Sequence, residues 1–324
     1  MPRSAPMPQP RHRLHALGML LLATLCWGLS FPLIKAAALG ISSTGGGSGF
    51  IAAMLLAPRF AVATALLLLW QNRALMRTTR SELRQGLELA AFSAGGMLFQ
   101  NDGLRFTEAS TSAFLTQLYA ILIPVWLALR QRRSPGPLVW LCTALVLSGV
   151  AILGRFDWHR LTLGRGELET LAGSVFFMGQ ILCLERPRFS NNDPLRVSFV
   201  MFAAQAILYS ALLVPAAPNL GAVLEPFASP SWLAISVILG VVCTACACTL
   251  MNTWQPAISA TEAGLIYCFE PIFASLFALA LPAMLSGWCG IAYANETVTW
   301  SLLGGGALIT LANALLHLRA PASP

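Results

Sequence analysis

The sequence predicts an all-α integral membrane protein whose ten transmembrane helices form two inverted five-helix repeats. Three observations predict it. Of the 324 residues, 56% are hydrophobic and 10% charged, against roughly 25% charged in an ordinary soluble domain. Charge is scarce in ten successive stretches near the length, about 20 residues, at which a helix crosses a bilayer. Features of the first half recur in the second at a shift of about 150 residues. Each half holds five helices, an odd number, so the second half enters the membrane inverted.

The predicted spans are 14–36, 51–71, 86–105, 109–129, 135–154, 167–185, 195–215, 231–252, 259–281 and 298–318. Residues 1–13 form a Pro- and Arg-rich disordered tail. The first repeat covers 14–154, a linker 155–166, the second repeat 167–318 and a short tail 319–324. The first span contains ATLCWGLSFPLIK, where Pro32 frees the carbonyl of Gly28 and Lys35 falls at the end of the span. The apolar run 14–34 exceeds a usual signal-peptide core, so an uncleaved first helix is expected. The second span carries Arg59 near its start, and the sixth has few uncharged residues between Glu169 and Glu185. In the third, Arg84 and Glu88 stand at i,i+4 spacing for a salt bridge. Ser93, Ala94, Gly95 and Gly96 allow close packing, and Gln100 and Asn101 add polar groups.

The fourth span lies against the ninth with Thr111 opposite Thr261, Ala113 opposite Ala263 and Gln117 opposite Tyr267; Asn252 falls opposite Asp102, and Trp27 opposite Phe176. The ninth span reads SATEAGLIYCFEPIFASLFALAL. Glu270 lies 11 residues beyond Ser259, roughly 16 Å along a helix, near the middle of a hydrocarbon core about 30 Å thick. A lone acid there costs about 3 kcal/mol on insertion scales and should face protein or water. Pro271 cannot donate to the carbonyl of Tyr267, so the helix offers polar groups at membrane depth. Ser259 and Glu262 read as a capping box.

The candidate cavity residues are Trp27, Ser30, Gln100, Asn101, Gln117, Tyr119, Gln180, Asn252, Tyr267 and Glu270, with Pro32, Pro124 and Pro271 as helix hinges. Each polar member has a plainer reading as a bond between neighbouring helices, worth about 0.6 kcal/mol, and Glu270 has a structural or gating reading. Gly304, Gly305 and Gly306 read as a packing surface rather than a phosphate loop.

WGLSFPLIK in helix one, APRFAVATALLLL in helix two, TSAFLTQLYAILIP in helix four and ISATEAGLIYCFEPIFASLFA in helix nine together resemble the EamA family of the drug/metabolite transporter superfamily. The resemblance implies ten helices, two inverted repeats and a central cavity, in a family that moves amino acids, metabolites, sugars or drugs. Members usually carry Gly-Glu after helices four and nine. Here the matching positions hold Leu129-Arg130-Gln131 and, after about ten extra residues, Asn295-Glu296.

The net charge of +7 follows topology rather than nucleic acid. With the N-terminus inside, 14 of the 20 basic residues fall on the cytoplasmic side, so both termini are expected there, in a multi-pass protein of the plasma membrane. Nineteen Arg against one Lys points to a bacterial genome, and so to an inner membrane. Eight cysteines, almost all within spans, read as buried and reduced. No cofactor or metal site is expected, since no histidine lies within a span core to join Cys243, Cys246 and Cys248. The expected function is a secondary transporter, exporting a small metabolite such as an amino acid or drug-like compound by alternating access. Its partners are the substrate, protons, the bilayer and, as one open arrangement, a second copy in a homodimer, with no nucleic acid. A non-transporting membrane partner or sensor would share the same bundle. A membrane enzyme would need catalytic groups, and no HExxH, paired-Asp metal motif or GxSxG occurs.

Overall fold

The computed structural model describes residues 10–41, 45–75, 77–103, 106, 115–132, 135–153 and 164–319. Its helices are α1 (Pro10–Ile41), α2 (Ser48–Leu75), α3 (Arg80–Gly103), α4 (Tyr119–Gln131), α5 (Pro137–Leu153), α6 (Arg165–Leu184), α7 (Pro194–Ala216), the short α8 (Leu220–Leu224), α9 (Pro230–Gly240), α10 (Ala247–Trp254), α11 (Ala260–Tyr267), α12 (Glu270–Ala278), α13 (Leu281–Cys289) and α14 (Trp300–Arg319). A π-helical turn, Val241–Cys246, joins α9 to α10. No strand occurs among the described residues.

Five helical runs are long and apolar enough to cross a membrane: Arg13–Ile41, Ser48–Gln71, Arg165–Leu184, Pro194–Ala216 and Pro230–Ala257. A sixth is the pair Ala260–Ala278 and Leu281–Cys289, bent by 59°. Tyr119–Arg130, Pro137–Ile152 and Trp300–Leu316 are shorter apolar helices. The ninth predicted span therefore ends earlier than expected, and α13 takes part of the extra sequence after it. The expected N-terminal tail, most of the linker, and Thr111 and Ala113 of the fourth span lie outside the described residues.

Helices from the two halves of the chain pack on one another. α1 lies against α12 and α10, α2 against α7, α3 against α6, α4 against α11, and α5 against α14. Glycines set the closest approaches. A Cβ on Gly96 would meet the Phe177 ring at 2.6 Å, and one on Gly149 would meet the Gly305 carbonyl at 2.7 Å.

Charged side chains gather at the ends of this bundle. At one end Glu88 is shared by Arg84, Arg186 and Arg188, so the expected i,i+4 pair is part of a larger cluster. Nearby, Glu82 accepts from the Thr79 N–H at 2.7 Å and the Asp193 N–H at 3.1 Å and pairs with Arg196. Burial pushes the Glu82 carboxyl up, but these N–H groups, the Thr79 hydroxyl and Arg196 outweigh it and hold it below the usual carboxylate range. Arg13 pairs with Glu262 at the same end. At the other end Arg165 bonds Asp102 and Glu169, and Lys35 sits over the Tyr293 ring.

Candidate functional site

The site is built around a helix that stops and starts again. Ser259 caps α11: its hydroxyl accepts from the Glu262 N–H, and the Glu262 carboxylate accepts from the Ser259 N–H at 3.1 Å. The helix runs to Tyr267, turns through Cys268 and Phe269, and restarts at Glu270. Pro271 therefore sits in the first turn of α12, where a missing N–H costs nothing, rather than kinking an unbroken helix. Glu270 shares that first turn, where unsatisfied N–H groups and the helix dipole favour an anion. Its side chain is half-buried. Among the described residues its carboxylate takes no hydrogen bond or ion pair.

A second break lies opposite. Residues 115–116 are helical, Gln117 and Leu118 form a turn, and α4 begins at Tyr119. The Cys268 thiol donates to Gln117 Oε1 at 3.4 Å, joining one break to the other. Tyr119 is buried beside them. Trp27 of α1 meets Tyr267 edge to face at 5.3 Å. The Tyr267 hydroxyl donates to Gln255 at 2.9 Å, and the Gln255 amide donates to the Ile181 carbonyl at 2.7 Å. α1 comes this close because Gly28 has no side chain: a Cβ there would stand 2.5 Å from Phe273 Cβ and 2.9 Å from the Ala274 nitrogen.

Arg59, near the start of the second predicted span, is a third component. It is 6% exposed, within the span Ser48–Gln71. Its partner is the π-helical turn, whose wider winding releases backbone groups that an α-helix would bond. Arg59 Nη2 donates to the Cys243 carbonyl at 3.0 Å, and Nε donates to the Thr244 hydroxyl. That hydroxyl in turn donates to the carbonyl of Leu239, five residues back, at 2.9 Å.

Comparison with known proteins places this assembly. The sequence model of the EamA-like transporter family matches residues 14–155. Over those residues the chain is similar to that family. An uncharacterized transporter from Archaeoglobus fulgidus is 23% identical over 313 residues, covering 95% of this chain and 87% of its own. A solved crystal structure superposes with a TM-score of 0.70 at 18% identity, over 95% of this chain and 98% of its own, and so shares the fold. The family and the transporter-named relative point to a multi-pass membrane transporter rather than an enzyme.

The EamA-like segment supplies Trp27, Arg59, Gln117 and Tyr119 to the centre, and the rest of the chain supplies Gln255, Tyr267 and Glu270. Other expected residues have local partners. Within the EamA-like segment, Ser30 donates to the Trp27 carbonyl at 2.7 Å and Gln100 to the Thr116 hydroxyl at 3.0 Å. Beyond it, Gln180 reaches the Met251 sulfur at 3.9 Å, and Asn252 donates to Ser198 at 2.9 Å. The Asn101 side chain lies outside the described residues. Pro32 and Pro124 sit inside continuous helices. A pocket of about 140 Å³ opens away from the centre, between the end of α1 and the start of α9, beside Trp232. Among the described residues no group of His, Cys, Asp and Glu is placed to hold a metal ion.

Proposed function

We propose that the protein is a secondary transporter, exporting a small metabolite such as an amino acid or drug-like compound across the plasma membrane by alternating access. The observation that carries this is the pair of facing helix breaks, at 117–118 and 268–269, joined by the Cys268–Gln117 bond and flanked by an unpaired carboxylate. Interrupted helices at matching positions of two repeats are how many secondary transporters build a midplane site.

The packing also supports ten helices in two inverted repeats. Under the shift of about 150 residues α2 corresponds to α7, and past the ten extra residues α5 corresponds to α14, and each of these pairs packs together, while α4 packs on α11, the helix before its counterpart α12. The contact of α1 with α10 has its counterpart in that of α6 with α3. The end carrying Arg13, Arg84, Arg186 and Arg188 would face the cytoplasm, with both termini.

Glu270 is assigned the coupling proton. Reconstituted into proteoliposomes, the wild type should carry labelled amino acids outward with a rate that depends on pH. Glu270→Gln should keep the fold and lose that dependence, because the amide does not titrate. A variant with the wild-type pH profile would rule the proton role out, and a wild type with no flux for any compound offered would favour a sensor.

A further inference from the structure

Among the described residues Arg59 and Glu270 are a basic and an acidic side chain that lie deep in the spans with no opposite charge bonded to them. They come from opposite halves of the chain. A guanidinium buried without a counter-ion is costly. The Cys243 carbonyl and the Thr244 hydroxyl orient Arg59 but neutralise nothing.

The geometry leaves Arg59 with a defined free edge. A guanidinium has five N–H donors in a planar fork. One is used on Nε and one on Nη2. Nη1 bonds no described residue, so the Nη1–Nη2 edge retains the two parallel donors that fit a carboxylate bidentately. The π-turn fixes the adjacent Nε–Nη2 edge, so the fork is aimed before any ligand arrives. Gly240 lets α9 approach close enough for this, since a Cβ there would stand 2.6 Å from Val62 Cβ and 2.9 Å from the Arg59 carbonyl.

We propose that Arg59 binds the carboxylate of the transported molecule, held in place by the π-turn, and that this molecule is a small zwitterion whose ammonium group faces Glu270. This rests on the transporter reading and adds to it the substrate's charge pattern and a binding residue. A phosphate or sulfate dianion fits less well, because one guanidinium edge offers too few donors and Glu270 repels a second negative charge.

The test is a matched panel at three side-chain sizes: alanine, leucine and phenylalanine, each with its carboxamide and its decarboxylated amine. Binding is read by thermal shift on the full-length protein in detergent, and flux in proteoliposomes. The wild type should prefer an amino acid over its amide by at least about tenfold, the value of one charge-assisted contact. Arg59→Gln should erase that preference. Arg59→Lys, keeping the charge but not the fork, should retain part of it, which a purely structural role for Arg59 would not do. Should Arg59→Gln fail to elute as a monodisperse species, Thr244→Val decides, since it loosens the guanidinium without removing it and should weaken the preference several-fold. An undiminished preference in Arg59→Gln, or in Thr244→Val if that variant has to decide, overturns the proposal. So does a wild type that treats acid and amide alike or binds no member of the panel. Binding with the expected preference but without flux would uphold the carboxylate site and refute the transporter reading.

Discussion

The chain interrupts two helices at nearly matching points, one residue from a shift of 150, and holds the two interruptions differently. At Gln117 and Leu118 the turn is followed by Tyr119, a neutral, buried residue, and α4 then runs on through Pro124 without a break. At Cys268 and Phe269 the turn is followed by a half-buried acid and a proline. The first break is thus followed by a neutral side chain, whereas the second presents an acid that bonds no partner among the described residues. In the proposed transporter the two halves would divide the work, one supplying the cation Arg59 and the other the acid Glu270. The proposed alternating access would need the two halves to exchange conformations, and an asymmetric charge would give that exchange a direction that a ligand or proton can bias.

The largest effect should come from the surface on which the second break is seated. Gly28→Ala places a methyl 2.5 Å from Phe273 Cβ and 2.9 Å from the Ala274 nitrogen, and neither is the far end of a flexible side chain. About 2 kcal/mol of destabilisation is expected, as for other overpacked cores. Gly264→Ala, on the side facing the first break, meets only the tip of Ile123 at 3.0 Å and should cost well under half as much. Thermal melting of the two variants side by side checks this. Equal losses would mean that the broken helix is clamped as firmly against α4 as against α1.

A smaller effect tests the link between the breaks. Gln117→Ala removes the acceptor of the Cys268 thiol in a buried site, and about 1 kcal/mol should be lost. Cys268 also faces the Gly264 carbonyl at 3.3 Å, which remains as an acceptor when Gln117 is lost, so Cys268→Ala should lose at least as much as Gln117→Ala does. If neither change alters stability or flux, the two breaks are neighbours without being coupled.

Some of this was legible from residues and some was not, for physical reasons. The capping box needs only Ser259 and Glu262, three residues apart, so the start of α11 could be read locally. Glu270 and Pro271 stand out because an acid and a missing donor are both rare at membrane depth. The first break has no such mark: no proline follows Gln117 until Pro124, and the turn is visible only in the backbone. Arg59 could be seen as a lone charge in an apolar span, but its meaning depends on a π-turn whose residues, VVCTAC, contain no breaker. Gln255 owes its role to Tyr267 and to a carbonyl 74 positions away, contacts that no local pattern encodes. The start of α3 and the segment after α6 were readable as charge, yet not as a shared cluster on Glu88.

The smallest change in stability should come from Pro271, and its consequence for transport decides what makes the second break. As a hinge inside a helix, Pro271 would be worth about 3 kcal/mol of strain. In the first turn of α12 it is preorganised, so Pro271→Ala should change stability by less than about 0.5 kcal/mol. The restored N–H could then reach the Tyr267 carbonyl, closing the gap between α11 and α12. If proline is what keeps the gap open, flux in proteoliposomes should fall while the melting temperature holds. Wild-type flux would assign the break instead to the Phe269–Ile266 turn bond at 3.0 Å and to the thiol contacts of Cys268. Pro124→Ala provides the contrast. That proline lies inside a continuous helix, so replacing it should stabilise α4 without touching the neighbouring break, and a loss of flux there would show that the first half bends as well.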